Sequence, residues 1–149
     1  MQTRKSIPKS VRDRVKQKCN NRCAYCGREV DKLCIDHVYP VTLEYIAHKF
    51  TIDVNDEKNL LPACFSCNNY KNVLPLEYFR QELQNQVQRA RTMSVNFRLA
   101  ENFQQITVNE HPIVFYFESI GVQTYPDPFS CSASDGLPFS QAIHMNQIV

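Results

Sequence analysis

Two Cys-x-x-Cys knuckles, Cys23-Ala-Tyr-Cys26 and Cys64-Phe-Ser-Cys67, constrain this chain more than any other feature. They lie 38 positions apart, counted from Cys26 to Cys64. A tight knuckle turns both of its sulfurs to one side, so two knuckles can offer four thiolates to one ion. Four thiolates complete the closed tetrahedral shell that structural Zn²⁺ prefers. With every position filled by protein, such an ion has no room for substrate, and its role is folding. Comparable modules gain on the order of 10–16 kcal/mol from zinc near neutral pH. The alternative is redox-active or unliganded thiols, but two independent knuckles rarely arise by chance. Cys19, Cys34 and Cys131 lack a knuckle partner and read as small apolar side chains.

The total of seven cysteines is odd, which suits a disulfide framework poorly. The N-terminal run MQTRKSIPKSVRDRVKQK carries bases without an apolar stretch, so it does not read as a secretory signal. No segment approaches the roughly 18 uninterrupted apolar residues of a membrane span. The expected setting is therefore cytoplasmic and reducing, with no membrane partner. At 149 residues and 43% hydrophobic, the chain suits one ordinary domain or a small domain with an appendage. Three glycines are too few to favour a glycine-rich phosphate loop. Tryptophan is absent, and nine Phe and seven Tyr supply the bulk of the core.

The net charge of +2 conceals an asymmetry. Residues 1–28 hold nine Lys/Arg against one acid, Asp13, whereas the other 121 residues hold eight bases and fourteen acids. A basic arm of this kind fits polyanion binding, where each phosphate contact releases condensed counterions. Its plainer reading is a solvated helix face. Ile7, Val11, Val15 and Cys19 recur at four-residue spacing and predict a helix over 7–19, with Asn20 and Asn21 as stop residues.

Further along, Lys32–Val38 alternates as a strand does, and residues 41–57 read as an insertion with some structure of its own. A short helix carrying Asn68, Asn69 and Lys71 is expected at the second knuckle. Leu76, Phe79, Leu83, Val87 and Ala90 predict a helix from 76 to about 91. A further helix is expected over 94–105, with Val95, Leu99, Ala100 and Phe103 inward. Ile113–Phe117 is the clearest strand by composition, and the Pro/Ser-rich stretch after Gly121 reads as an irregular tail.

Between and around the knuckles stand Asp36-His37, Asn59-Leu60, Asn68 and Lys71. The order C-x-x-C, D-H, N-L, C-x-x-C-N, then K resembles the HNH nuclease superfamily, and most of all its four-cysteine branch with the endonuclease VII-like junction resolvases. The likeness covers roughly residues 19–74. It implies an α+β fold: a small zinc-stapled ββα-metal (His-Me finger) module over 1–74, including the basic helix. A helical and strand extension over 75–120 and the tail 121–149 would follow it. By the same likeness, Asp36 and Asn68 would hold a divalent ion, His37 would be the general base, and Asn59 would brace the loop that fixes the histidine. The last histidine of the family name is replaced here by Asn68, as in the endonuclease VII-like members. The implied activity is an endonuclease acting on duplex or branched DNA, with RNA open, leaving 5′-phosphate and 3′-hydroxyl ends.

These residue types suit that chemistry. An imidazole with an ordinary pKa near 6.5 can take a proton from water at neutral pH. A hard cation held by one carboxylate and one amide oxygen keeps sites for water and phosphate, which favours Mg²⁺ or Mn²⁺. Lys71, one turn beyond Asn68, is expected at a neighbouring phosphate, and Arg12, Lys16 and Arg22 of the basic arm are further candidate contacts. Singly, each residue has a plainer reading: Asp36 as a turn cap, His37 as structural, Asn59 as a loop residue, Asn68 as a helix cap. Asn69 competes with Asn68 as a ligand. His48, His111 and His144 match no part of the motif. The 22 positions from His37 to Asn59 lack the glycine-rich turn common in the family. Two other classes fit less of the sequence: a zinc-dependent nucleic-acid-binding module that does not cut, and a protein-interaction adaptor built on 76–120. The helical second half permits a homodimer without requiring one.

Overall fold

The structure, a computed structural model, describes residues 6–130, 136 and 138–142. Cys131 and His144 lie outside them. Helix α1 (Lys9–Lys18) follows Pro8 and ends with Asn20 and Asn21 in the left-handed region, at φ 54° and 56°. Asn21 donates its N–H to the Lys16 carbonyl at 3.0 Å, turning the chain directly into the first knuckle. Val15 and Cys19 are buried, as the four-residue spacing requires.

Strands β1 (Cys34–His37) and β2 (Leu60–Ala63) form a two-stranded antiparallel sheet, with Asp36 opposite Leu61 and His37 opposite Leu60. Pro62 cannot donate to a ladder, but its carbonyl accepts the Ala24 N–H at 2.8 Å, which ties the first knuckle to β2. Between the strands, the insertion forms α2 (Glu44–Ala47), flanked by 3₁₀ turns at Val41–Leu43 and His48–Phe50. Helix α3 (Phe65–Lys71) leaves β2 through the second knuckle, and the Cys64 sulfur accepts the Cys67 N–H at its start. The fold is thus α+β, with a small sheet and a larger helical share.

The expected helix 76–91 is two, α4 (Leu76–Gln84) and α5 (Gln86–Met93), broken at Asn85. Helix α6 (Val95–Asn102) is capped by the Ser94 hydroxyl on the Phe97 N–H. Its expected inward face is not inward. Val95, Leu99 and Phe103 are 59%, 48% and 75% exposed and only Ala100 of that face is half-buried, while polar contacts tie α6 to α5: Arg91 grips Glu101, and Arg98 donates to the Arg91 and Thr92 carbonyls.

Ile113–Phe117 is not a strand. Residues 113–115 pair with no strand, Phe115 alone being extended as the cap of α7 (Tyr116–Ser119), which begins inside the segment. The N–H groups of Tyr116 and Phe117 go to the carbonyls of Tyr25 and Ala24 in the first knuckle, so no partner strand is needed. The Glu118 carboxylate accepts the Phe115 N–H at 2.9 Å and starts the helical turn. Arg80 fastens this segment to α4 through Glu118 and the Ile113 carbonyl.

Two apolar cores result. In the first, Tyr25 lies edge-on to Phe79 and Phe115, both at 5.3 Å, beneath the knuckles. The second joins Leu43, Ile46, Ile52 and Val54 of the insertion to Tyr39, Tyr78 and Phe129. The tail read as irregular therefore supplies Phe129, stacked on Tyr39, together with Phe139 and Ala142.

Candidate active site and cysteine cluster

The ligand sulfurs of Cys23, Cys26, Cys64 and Cys67 all lie within 4.8 Å of one another. Gly27 closes the first knuckle at φ +72°, and its N–H bonds the Cys23 carbonyl at 2.8 Å. A Cβ there would meet the Tyr116 ring at 3.2 Å, so both the turn and the close approach call for glycine. Cys26 and Cys64 are 3.9 Å apart. Zinc–sulfur bonds of about 2.3 Å in a tetrahedron set sulfurs about 3.8 Å apart, so the cluster has the dimensions to hold such an ion.

The hydrogen bond from Cys67 holds the Cys23 thiol well below its ordinary value and correspondingly pushes Cys67 up. Arg28 faces Cys26 and Cys64, and these sulfurs raise its own pKa. With an ion bound, its positive charge would partly offset that of a thiolate cluster. Cys19, by contrast, is pushed up to about 11 by burial, which keeps it a neutral, small apolar group.

Asp36, His37 and Asn68 border one pocket of about 610 Å³, between β1, α3 and the insertion. Asp36 is nearly buried. Tyr25 donates its hydroxyl to Asp36 Oδ2 at 2.5 Å, and Lys71 Nζ lies 3.1 Å from the same oxygen. Burial, reinforced by Asp36, pushes the Tyr25 hydroxyl well above its usual range, so it stays a proton donor to the carboxylate. His37 is 8% exposed, at the end of its strand and at the pocket's edge.

Lys71 corrects the expectation of a phosphate contact. It is completely buried, and besides Asp36 it donates to the His37 carbonyl at 3.0 Å. An ammonium in that position cannot remain unpaired, so it bonds two consecutive residues of β1 and pins α3 against the strand. Arg22, whose side chain is 40% exposed, also has a local role. Its guanidinium reaches the Gly27 carbonyl at 3.2 Å and Glu29 at 2.5 Å, bracing the first knuckle.

Asn59 is fully buried. Its Oδ1 accepts the Tyr39 N–H at 2.7 Å, and its Nδ2 donates to the Tyr39 and Val54 carbonyls at 3.0 and 2.9 Å. It therefore clamps the backbone two residues after His37 to the end of the insertion.

One side of α1 is docked: Arg14 pairs with Glu57 at 2.7 Å, and Lys18 donates to the Glu57 carbonyl. The other side, with Lys9, Arg12 and Lys16, borders a groove of about 710 Å³. Asn68 borders both the groove and the pocket, so the two adjoin. Sequence reasoning missed Lys32 in the groove and Glu44 and Tyr45 in the pocket. The signal available for the last two was the long insertion itself, with its mixture of acids and aromatics.

Fold and site together define a small α+β protein with a four-cysteine cluster suited to a metal ion, beside a pocket bordered by histidine, aspartate and asparagine. No helix among the described residues is long and apolar enough to cross a membrane. The chain is similar to the "SPbeta prophage-derived putative HNH endonuclease YoqL" of Bacillus subtilis (strain 168), with 38% identity over 71 residues. That alignment covers 41% of this chain and 29% of the relative, so the chain spans under a third of that protein's length. No family model matches, and no solved structure matches.

Proposed function

We propose that this chain is a metal-dependent HNH-type endonuclease that hydrolyses DNA phosphodiester bonds through a ββα-metal site. The observation that carries the reading is that His37 and Asn68, 31 positions apart, border one pocket with Asp36 beside a basic groove. The partial likeness to an HNH protein supports it independently.

His37 is the general base. Lys71 holds its carbonyl, and Asn59 holds the backbone two residues on, so the imidazole is carried on a fixed strand end. It takes a proton from the attacking water, a task for which an imidazole is suited near neutral pH. Asp36 and Asn68 would hold the divalent ion, Mg²⁺ or Mn²⁺. The contacts of Asp36 described above fall on one of its two oxygens, Oδ2. Lys71 offsets the charge of Asp36, and Glu44 in the same pocket brings a second carboxylate, within the one or two that Mg²⁺ ordinarily takes. The ion, when bound, stabilises charge on the phosphoryl and departing 3′ oxygens. The products carry 5′-phosphate and 3′-hydroxyl ends. Zn²⁺ fills the four-cysteine cluster as a purely structural ion.

The test is incubation of supercoiled plasmid with the protein and Mg²⁺ or Mn²⁺, alongside EDTA and the His37→Ala variant. Nicking should require the divalent ion and fall by roughly 10²–10⁴-fold in the variant, the usual contribution of a general base. DNA binding without cleavage under either ion would instead favour a non-cutting binding module.

A further inference from the structure

We propose that the pocket beside His37 contains a nucleobase subsite, in which an unpaired base of the substrate strand stacks on Tyr45. This rests on the nuclease reading and adds to it how the strand lies in the site.

A centre that only gripped a phosphate and a hydrated cation would need polar walls. This pocket is lined by Pro40, Val41, Tyr45 and Val73 as well as by polar side chains, Thr42, Glu44 and Asn72 among them beside Asp36, His37 and Asn68. Its volume of about 610 Å³ is in the range of small-ligand sites, roughly 300–1,000 Å³. Tyr45 is 51% exposed, while its neighbours Ile46 and Ala47 on α2 are fully buried in the second core. The side chain is thus carried on an anchored helix turn, and about half of the residue is open to solvent, as a stacking platform requires.

The adjoining groove supplies the rest of the strand path. Lys9, Arg12, Lys16 and Lys32 border it against the single acid Asp13, which pairs with Lys9 at 2.9 Å. Backbone phosphates lie along these bases, the strand crosses at Asn68, and the next base drops into the pocket. A base inside a duplex has both faces covered by its neighbours, so only an unpaired or extruded base can reach Tyr45.

The experiment is a fluorescence-anisotropy titration of the zinc-loaded full chain, in calcium- and magnesium-free buffer, with a labelled single-stranded DNA and the same sequence as a duplex. Tyr45→Ala should weaken single-strand binding roughly five- to hundred-fold, the loss of one base–aromatic stack. Duplex binding and melting temperature should be unchanged, and Tyr45→Phe should retain wild-type affinity. Arg12→Gln and Lys16→Gln should weaken both DNAs alike and each lower the salt slope by about one. Equal losses of single-strand and duplex binding in Tyr45→Ala, no loss of either, or no binding of either DNA by the wild-type chain would overturn the subsite. Plasmid nicking separates the two readings. Cleavage with a neutral Tyr45 sinks the subsite alone, whereas Tyr45-dependent binding without cleavage sinks the nuclease and leaves the subsite standing.

Discussion

The two apolar cores meet at α4, where Phe79 faces the first and its neighbour Tyr78 the second, yet they cohere by different means. Beneath the knuckles, aromatic packing is combined with four clustered thiols and a buried Asp36–Lys71 pair. Under the insertion, Leu43, Ile46, Ile52, Val54 and Phe129 pack as an ordinary hydrocarbon interior, with Asn59 tying its edge. Thiolates and buried charges do not hold themselves together, whereas apolar side chains do. The candidate pocket draws Asp36 and Asn68 from the first region and Glu44 and Tyr45 from the second. With zinc in the cluster as proposed, the Asp36 and Asn68 side of its wall would depend on the ion, and the Glu44 and Tyr45 side would not.

The largest effects should separate the regions by metal. Chelation, or Cys64→Ser, should release zinc and remove folding energy on the order of 10 kcal/mol, collapsing the thermal transition. Unchanged zinc stoichiometry and melting in Cys64→Ser would refute the staple. Next in size, Lys71→Met should lower stability by about 3–5 kcal/mol in urea titration, because Asp36 is left buried without its cation. The double variant with Asp36→Asn should recover part of that loss.

In the second region, Phe129→Ala should lower stability by about 3–5 kcal/mol through the cavity it opens, with zinc content intact. Loss of zinc along with Phe129 would mean that the regions form one cooperative unit. Asn59→Ala should lower stability by about 3 kcal/mol, since it orphans the Tyr39 N–H and two carbonyls. Its effect on cleavage should exceed that of Phe129→Ala at equal residual stability, because the clamp lies two residues from His37.

What could be read in the sequence follows the same division. Knuckles and helix stops are local chemistry, so the cysteine cluster and the two left-handed asparagines after α1 were visible. The alternation at 113–117 was real as well: Phe115 and Phe117 are buried, while Val114 is exposed. What alternation could not supply was the hydrogen-bonding partner, which proved to be a knuckle loop rather than a strand. Lys71 misled for a similar reason, since one turn of spacing from Asn68 fixes the helix face only relative to its neighbours. Whether that face meets solvent or β1 is decided by long-range packing. Helix α6 departs in the opposite sense: its apolar spacing predicts burial, but polar contacts, Arg91 with Glu101 and Arg98 with the Arg91 and Thr92 carbonyls, tie it to α5.

The smallest expected effect, Asp127, bears on how the tail is attached. Its Oδ2 accepts the Glu77 N–H and its Oδ1 the Phe129 N–H, both at 2.8 Å, so it joins the start of α4 to the second core. Burial raises its pKa above the ordinary 3.8, despite the lowering effect of these bonds. Above pH 3.8 the folded chain therefore holds this proton more often than the unfolded chain does. The stability due to Asp127 must then fall as pH rises from 3.8 through the raised value, and level off above it. Asp127→Asn cannot titrate and should lack this decline. Urea titrations of both proteins across the acid range isolate it, because acid protonation of the thiolates is common to the two and cancels in their difference. A wild-type chain that gained stability over the variant as pH rose through this window would show that the two N–H bonds outweigh burial at Asp127.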